Sequence, residues 1–255
     1  MNPAFLRPAP VADPVARLVV FPHAGGSGSA YYPLVHKVPA DWELLLLDLP
    51  GRGRQHRLAP LTDMAAVVKR ATADVLDHAD VPLALFGHSF GAVVAVETAR
   101  ELQARGARVG WVGVSGRPAP GHRGGRVLDH DVADIDLLRQ LRALGGMPDQ
   151  IHRVPGFRDQ VLRLIRGDLR VLDTYVPPRG RAGLSAPLTA FGGVDDPWAP
   201  PISLAGWAAE TSAEFRQRLF PGGHFHFLGT GFPDFAGAVL SEAVHAFHPN
   251  LTRRL

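Results

Sequence analysis

Ser89 is the residue of this sequence whose setting most clearly indicates chemistry. It is the centre of Gly-His-Ser-Phe-Gly (87–91), which fits the pattern G-x-S-x-G of a nucleophile at a sharp strand-to-helix turn. An apolar run precedes it at 83–86, and small or apolar residues continue at helical spacing toward Leu102. Glycines suit such a turn because the strand and the helix approach too closely for large side chains. The pattern therefore predicts an exposed serine hydroxyl at a helix N-terminus, where free N–H groups can stabilise an oxyanion.

A serine hydroxyl is a weak nucleophile, so it needs a histidine base and an acid that orients and stabilises that histidine. Two later loops supply both, each directly after a predicted strand: Asp195 and Asp196 precede Pro197, and His224 and His226 follow a Gly-Gly turn. The chain order serine, acid, histidine is that of α/β-hydrolases. Either aspartate could reach the histidine, and Pro197 restricts Asp196 to extended geometry. The Gly-Gly turn favours His224 as the base, with His226 as competitor because residues two apart share a face of an extended chain.

Other chemistry is only weakly indicated. His88 adjoins the serine but would point away from it, so we expect it to pack or to form a hydrogen bond. A His-x-His pair beside two aspartates suggests a metal site, but no clear ligand set accompanies it, which makes this a minor interpretation. The glycine-rich loop at 22–29 lacks the Gly-Lys-Ser/Thr of a phosphate-binding loop, so we reject a nucleotide site there. We therefore expect neither a metal nor a cofactor.

The composition is that of an ordinary globular protein, since 46% of the 255 residues are hydrophobic, 20% are charged and none is cysteine. The formal net charge is +3, but lysine occurs only at 37 and 69 and no long basic run is present, so nucleic acid is not an expected partner. Residues 1–17 lack the basic start and apolar core of a signal peptide, and no apolar run is long enough to cross a bilayer. We therefore expect a cytoplasmic protein with no membrane partner.

Strand-like and helical segments alternate along the chain and must position these residues. Besides 83–86, the predicted strands lie at 17–21, 42–49, 108–115, 187–191 and 215–220. With a helix around 61–78, this alternation predicts an α/β fold: a mostly parallel sheet, helices on both faces, and ligand-binding loops at the carboxyl ends of the strands. Residues 1–16, rich in proline and alanine, are expected to be a poorly ordered lead-in, and 17–255 to form one domain.

One segment, about 117–180, interrupts the alternation because it has helical patterns but no convincing strand. Asp134 is expected to cap a helix that carries four leucines and stops at Gly145-Gly146, and a second helix is predicted over 160–175. The apolar faces of both helices need a partner, and packing on the body of the domain would satisfy them. We favour a helical lid over the serine, which would form an apolar acyl pocket.

Together these features resemble the discrete type II thioesterases that accompany modular polyketide and non-ribosomal peptide synthases. The similarity covers almost the whole chain. It is carried by Phe-Pro-His-Ala-Gly-Gly (21–26), Leu-Pro-Gly-Arg-Gly (49–53), Gly-His-Ser-Phe-Gly (87–91), and the segments 138–146, 191–197 and 221–227. In the family the last motif commonly reads Gly-Gly-His-Phe-Phe, so His226 stands where an aromatic residue is usual.

The resemblance implies an α/β-hydrolase fold with a helical lid, and hydrolysis of acyl thioesters carried on the phosphopantetheine arm of carrier proteins. It implies Ser89 as the nucleophile, Asp196 as the acid and His224 as the base. The backbone N–H groups of Ala24 and Phe90 would form the oxyanion hole. It further implies a free-standing enzyme, expected to be a monomer, whose partner is an acyl or peptidyl carrier protein and whose task is to remove stalled or mis-primed acyl groups.

Two alternative functions stay open on the sequence alone. A serine esterase acting on small soluble esters would use the same triad and oxyanion hole. A non-catalytic carrier-binding accessory protein could retain the triad residues without using them.

Overall fold

The computed structural model describes residues 4–122, 128–145 and 156–247. The strands in these parts are β1 (Phe5–Leu6), β2 (Ala16–Phe21), β3 (Trp42–Leu47), β4 (Leu83–His88), β5 (Val109–Ser115), β6 (Leu188–Gly193) and β7 (Phe215–Phe220). The α-helices are α1 (Met64–Leu76), α2 (Phe90–Ala104), α3 (Asp134–Ala143), α4 (Phe157–Thr174), α5 (Pro201–Leu204) and α6 (Phe232–Phe247). Short 3-10 helices lie at Gly28–His36, Gly53–Gln55, Ala205–Glu210 and Gly229–Gly231. None of these helices is long and apolar enough to span a membrane.

The seven strands form one sheet in the order β1-β3-β2-β4-β5-β6-β7. Every pairing is parallel except that of β1 with β3, which is antiparallel. The predicted mostly parallel α/β sheet is confirmed, and each of the six predicted strands is present within two residues at either end.

Both faces of the sheet are covered, because alternate residues of the central strands enter two different apolar cores. In β2, Val19 and Phe21 belong to the core beneath α1 and α2, whereas Leu18 and Val20 belong to the core beneath α6 and the helix Gly28–His36. A strand buried on both sides reads as a continuous apolar run, which is why these strands were readable from sequence.

The N-terminal segment differs from its prediction. Residues 1–3 lie outside the described residues, but Ala4 and Phe5 are buried and Phe5–Leu6 pairs with Leu46–Leu47 of β3. The Asp48 N–H also donates to the Ala4 carbonyl oxygen at 2.7 Å. The prediction of a poorly ordered lead-in is therefore wrong for residues 4–6. That prediction depended on the proline- and alanine-rich composition of the segment, and a two-residue strand is too short to show a period of its own.

The turn between β4 and α2 is confirmed as a strained elbow. Ser89 has φ 55° and ψ −114°, and it is the one non-glycine residue with positive φ in the described parts of the chain. A methyl group on Gly91 would lie 2.2 Å from the carbonyl oxygen of Phe21, and one on Gly87 would lie 2.0 Å from that of Gly91. Glycine is therefore required at both positions by backbone contact.

The segment between β5 and β6 contains helices and no strand in its described residues, 117–122, 128–145 and 156–180, as predicted. Asp134 does not cap α3, because the N-cap is Ala133 and Asp134 is the first helical residue. Its carboxylate instead accepts a hydrogen bond from Arg166 of α4 at 2.8 Å. Gly145, with φ 80°, follows the helix, whereas Gly146 lies outside the described residues.

We predict that Gly91→Ala lowers the free energy of unfolding by about 1–3 kcal/mol or more, because the new methyl group meets backbone that cannot rotate away. Gly237→Ala is the matched control, since Gly237 is exposed in α6 and its added methyl group would meet nothing within 4 Å. That control should gain about 0.5–1 kcal/mol from the higher helix propensity of alanine. Urea unfolding of both variants measures the difference, and equal effects would contradict the packing argument.

Candidate active site

Ser89 and His224 line one cavity at the carboxyl end of the sheet. Ser89 is half-buried on the elbow, at the N-terminus of α2. His224 is buried and follows β7 through the turn Pro-Gly-Gly. The structure thus brings to one cavity two groups that lie far apart in the sequence.

Asp196, not Asp195, contacts the histidine. Nδ1 of His224 lies 2.9 Å from Oδ2 of Asp196, and both side chains are almost fully buried. Asp195 is exposed. The other carboxylate oxygen of Asp196 accepts the backbone N–H of Trp198 at 2.9 Å, which orients the carboxylate. An ionised carboxylate only accepts hydrogen bonds, so this contact favours the His224 tautomer with its proton on Nδ1, in which Nε2 is available as a base.

The loops that carry the acid and the histidine are joined by their backbones. The Val194 N–H donates to the carbonyl oxygen of Phe220 at 2.9 Å, and the Asp195 N–H to that of Gly222 at 3.0 Å. Gly193 has no room for a side chain, since a methyl group there would lie 2.2 Å from the Gly222 carbonyl oxygen. The spacing of Asp196 from His224 is therefore set by backbone contacts.

His226 does not share the position of His224. Its ring stacks on Phe220 with centroids 5.4 Å apart and planes 10° apart, and its two nitrogens have no hydrogen-bond partner among the described residues. Burial, reinforced by the charge of His224, lowers the pKa of His226 to about 4. The side chain packs as a neutral aromatic ring, which accounts for a histidine at a position where the family commonly has an aromatic residue.

His88 packs beneath the site, as predicted. It is fully buried, its Nδ1 lies 3.0 Å from Oγ of Ser115, and its ring centroid is 4.8 Å from that of His224. Burial, with the nearby charge of His224, lowers the pKa of His88 well below its usual range. A neutral ring at this position adds no positive charge beneath the base.

The cavity above the serine has a volume of about 340 Å³ and is mainly apolar. One wall is the loop 23–27 after β2, with His23 and Ala24. Most of the remaining wall comes from the segment between β5 and β6, called the insertion below, and consists of Leu141, Leu144, Phe157, Val161, Ile165 and Leu169. The predicted apolar pocket is present, and side chains from α3, its C-cap Leu144 and α4 form much of its wall.

The two N–H groups expected to form an oxyanion hole lie on the elements that border Ser89. Phe90 is the first residue of α2, directly after Ser89, and Ala24 lines the cavity. Their role as oxyanion donors stays a prediction. No group of three or more histidine, cysteine, aspartate or glutamate side chains in the described parts is arranged to hold a metal ion.

Three polar residues near the cavity have contacts that the sequence did not reveal. His23 Nδ1 lies 3.0 Å from the Tyr31 hydroxyl, and desolvation, with the charges of His224 and Arg52, lowers the pKa of His23 to about 4. Arg52 and Asp168 form a buried ion pair behind the loop that carries Ala24. The one available signal was Asp168 itself, an acid spaced four residues from Leu164 and from Leu172 on an otherwise apolar helix face.

The fold and the site define the class of protein. The nucleophile elbow follows β4, the acid follows β6 and the histidine follows β7, and this chain order is that of serine hydrolases of the α/β-hydrolase fold.

A family model described as Thioesterase domain matches residues 16–241, and the chain therefore belongs to the thioesterase family. Among curated relatives, a protein named "Probable cadicidin biosynthesis thioesterase" from Streptomyces griseus is 33% identical over 94% of this chain and 65% of its own length. The gramicidin S biosynthesis protein GrsT of Aneurinibacillus migulanus is 31% identical over 82% of each chain. The solved structure of the type II thioesterase BorB from the borrelidin biosynthetic cluster superposes with a TM-score of 0.84 at 30% identity, covering 95% of this chain and 98% of that one.

We predict that Asp196→Asn lowers kcat by about 10³–10⁴-fold, because the amide no longer holds the reactive tautomer of His224 or stabilises its charged form. Asp195→Asn is the matched control, since this neighbouring side chain is exposed and should change kcat by less than about twofold. Turnover of a small acyl thioester measures both. Similar losses of kcat in the two variants would contradict the assignment of Asp196 as the acid.

Acid should destabilise the protein through its buried neutral histidines. The pKa of His226 is about 4 in the folded chain and that of an unfolded histidine is about 6.5, so between these values the unfolded state binds the extra proton. Stability therefore falls as the pH falls from 6.5 toward 4, by at most about 1.4 kcal/mol per pH unit for this side chain. We predict that His226→Phe flattens this dependence in urea unfolding and leaves kcat at neutral pH largely unchanged. An unaltered pH slope would contradict the burial argument.

Proposed function

We propose that this chain is a type II thioesterase that removes acyl groups from the phosphopantetheine arm of carrier proteins in polyketide or non-ribosomal peptide synthesis. The observation that carries the proposal is the apolar cavity over Ser89 and His224, because an apolar wall suits the acyl group of a thioester. The relatives support the same function, since two are named as biosynthesis proteins and BorB as a type II thioesterase of a biosynthetic cluster.

In the proposed first half-reaction, Nε2 of His224 takes the proton of the Ser89 hydroxyl as Oγ attacks the thioester carbonyl carbon. The carbonyl oxygen becomes an oxyanion that accepts hydrogen bonds from the N–H groups of Ala24 and Phe90. The C–S bond then breaks, the proton on Nε2 passes to the departing sulfur, and the acyl group stays on Oγ as an ester. Asp196 holds the imidazolium in place throughout.

The second half-reaction repeats these steps with water. Nε2 of His224 takes a proton from water as the water oxygen attacks the acyl carbon. The bond between the acyl carbon and Oγ breaks, Oγ takes the proton from Nε2, and the carboxylic acid leaves. Every proton is carried by Ser89 and His224, so the proposed reaction uses no metal or cofactor.

The partner in this proposal is a separate carrier protein in the cytoplasm, approached by the thioesterase as a monomer. Its task is to free carriers that hold a stalled or mis-primed acyl group. A net charge of +3 would modestly favour encounter with an acidic carrier.

The proposal is tested by comparing kcat/KM on acyl carrier proteins with kcat/KM on the matching N-acetylcysteamine thioesters and simple esters. We expect the carrier-bound thioester to be preferred. The acyl group is the same in all three substrates, but only the carrier protein can make additional contacts with the surface of the thioesterase. Mass spectrometry of the carrier before and after exposure reports hydrolysis directly. A preference for simple esters, with none for the carrier, would identify a small-ester esterase instead.

Ser89→Ala is the companion variant, expected to abolish carrier deacylation and the effect on pathway output together. An accessory protein without catalysis would retain its effect on output in this variant, and that result would overturn the proposal.

A further inference from the structure

A buried ion pair links the insertion to the loop that carries Ala24. Asp168 of α4 receives a bidentate contact from Arg52, with Nη1 2.5 Å from Oδ2 and Nη2 2.8 Å from Oδ1. Oδ2 also accepts the backbone N–H of Gly25 at 2.7 Å. Both side chains are about 95% buried. Three segments distant in sequence, namely the loops after β2 and β3 and the helix α4, therefore meet at one carboxylate.

The Arg52–Asp168 ion pair is not well explained by its contribution to the stability of the fold. Removing two charges from water costs several kcal/mol for each ion, and apolar side chains of similar size often stabilise a core as well or better. Nε of Arg52 adds to this cost, since it has no hydrogen-bond partner among the described residues. What apolar side chains could not supply is an acceptor for the Gly25 N–H.

That N–H belongs to the residue after Ala24, and the loop around it is fixed on both sides. Gly25 has φ 69°, and a methyl group on it would lie 2.3 Å from Cγ1 of Ile165, so α4 rests directly on this backbone. The Gly26 N–H donates to the His23 carbonyl oxygen at 2.9 Å and closes a turn. With the Gly25 N–H held by Asp168, the peptide units around Ala24 have little freedom to rotate.

Arg52 neutralises the negative charge that Asp168 brings close to the loop that carries Ala24. An unpaired carboxylate next to the Ala24 loop would repel the negative charge that develops on the thioester oxygen. The bidentate guanidinium balances that charge while leaving a lone pair on Oδ2 for Gly25. Arg52 also lies close enough to the cavity to help lower the pKa of His23.

We propose that Asp168 is a positioning residue for thioester hydrolysis: through the Gly25 N–H it fixes the Ala24 N–H toward the developing oxyanion, and Arg52 keeps the arrangement electrically neutral. The proposal rests on the function proposed above, in particular on Ala24 as an oxyanion donor. In this proposal, the contact of Asp168 with Gly25 also fixes the position of α4 against the loop that carries Ala24.

The test separates positioning from stability by removing both charges at once. Asp168→Leu alone leaves Arg52 buried without its partner, so it should lower the melting temperature as well as kcat. The double variant Arg52→Met/Asp168→Leu should recover much of the melting temperature, since no unpaired charge remains. It should still show a kcat about 10- to 100-fold below wild type with KM little changed, because the Gly25 N–H has no acceptor.

Asp168→Asn is the conservative rescue, since its amide oxygen can accept from Gly25, and its kcat should exceed that of Asp168→Leu. The control is Arg17→Met/Glu43→Leu, which removes another buried ion pair, 2.8 Å apart, at the opposite end of β2, where Glu43 also binds Arg7 and Arg17 also binds Asp80. That control should leave kcat of the folded protein unchanged. Recovery of kcat together with the melting temperature in Arg52→Met/Asp168→Leu would show a structural pair only and overturn the proposal.

A second measurement reports on the oxyanion directly. Inhibition by an alkyl boronic acid, whose adduct with Ser89 is tetrahedral and anionic, should weaken in Arg52→Met/Asp168→Leu by about the factor lost in kcat. Binding of the intact thioester, measured in the Ser89→Ala background, should stay constant. Equal weakening of both would contradict positioning. Both measurements use a small thioester, so their outcome does not depend on whether the enzyme prefers a carrier-bound substrate. If the enzyme shows no preference for the carrier, only the proposed function is contradicted.

Discussion

The close approach of α2 to strands β2 and β4 is the constraint on which the site depends. Gly91 touches the carbonyl of Phe21, and Gly87 touches the carbonyl of Gly91, so the helix begins almost on top of the sheet. This contact holds Ser89 at φ 55°, a conformation that a serine would not adopt freely. The serine is thereby presented at a helix N-terminus, next to the end of β2 where the Ala24 loop begins. The close approach of α2 to β2 and β4 therefore places Ser89 next to the predicted oxyanion donors.

The remaining parts of the site follow from the strand order. Because β6 and β7 are parallel neighbours, the loops after them run side by side, and backbone hydrogen bonds join the acid loop to the histidine loop. His224 packs against the rings of His88 and Phe225, with centroids 4.8 and 5.1 Å away, and burial lowers the pKa of His88 and of His226. His224 is the member of this group with a carboxylate partner, Asp196.

The parts of the structure that sequence predicted are those whose cause is local. Strands buried on both faces give continuous apolar runs, and the elbow needs its glycines at fixed spacing, so both were readable. The strand β1 was missed because two residues carry no period, and α6 was not among the predicted elements. Gly229, Gly231 and Pro233 near its start are residues typical of loops. Proline is nevertheless well tolerated in the first turn of a helix, where its missing N–H is not needed.

The choice between Asp195 and Asp196, and the Arg52–Asp168 pair, depended on contacts that local sequence does not encode. Adjacent aspartates differ only in the direction their side chains take from the loop, which the contacts of Gly193 and Gly222 decide. Arg52 and Asp168 are 116 residues apart, and either alone resembles an ordinary surface charge. Their burial arises only when the insertion folds over the loops after β2 and β3.

The origin of the cavity wall has a consequence for how such an enzyme can change over time. Ser89, Asp196 and His224 follow strand ends, whereas Leu141, Leu144 and Phe157 come from the insertion. Mutations at those three positions can lengthen, shorten or reshape the cavity without moving Ser89. The range of substrates can therefore change in evolution while the reacting groups stay in place. The exception is the side of α4 that carries Ile165 and Asp168, where a change of chamber shape would also disturb the Ala24 loop.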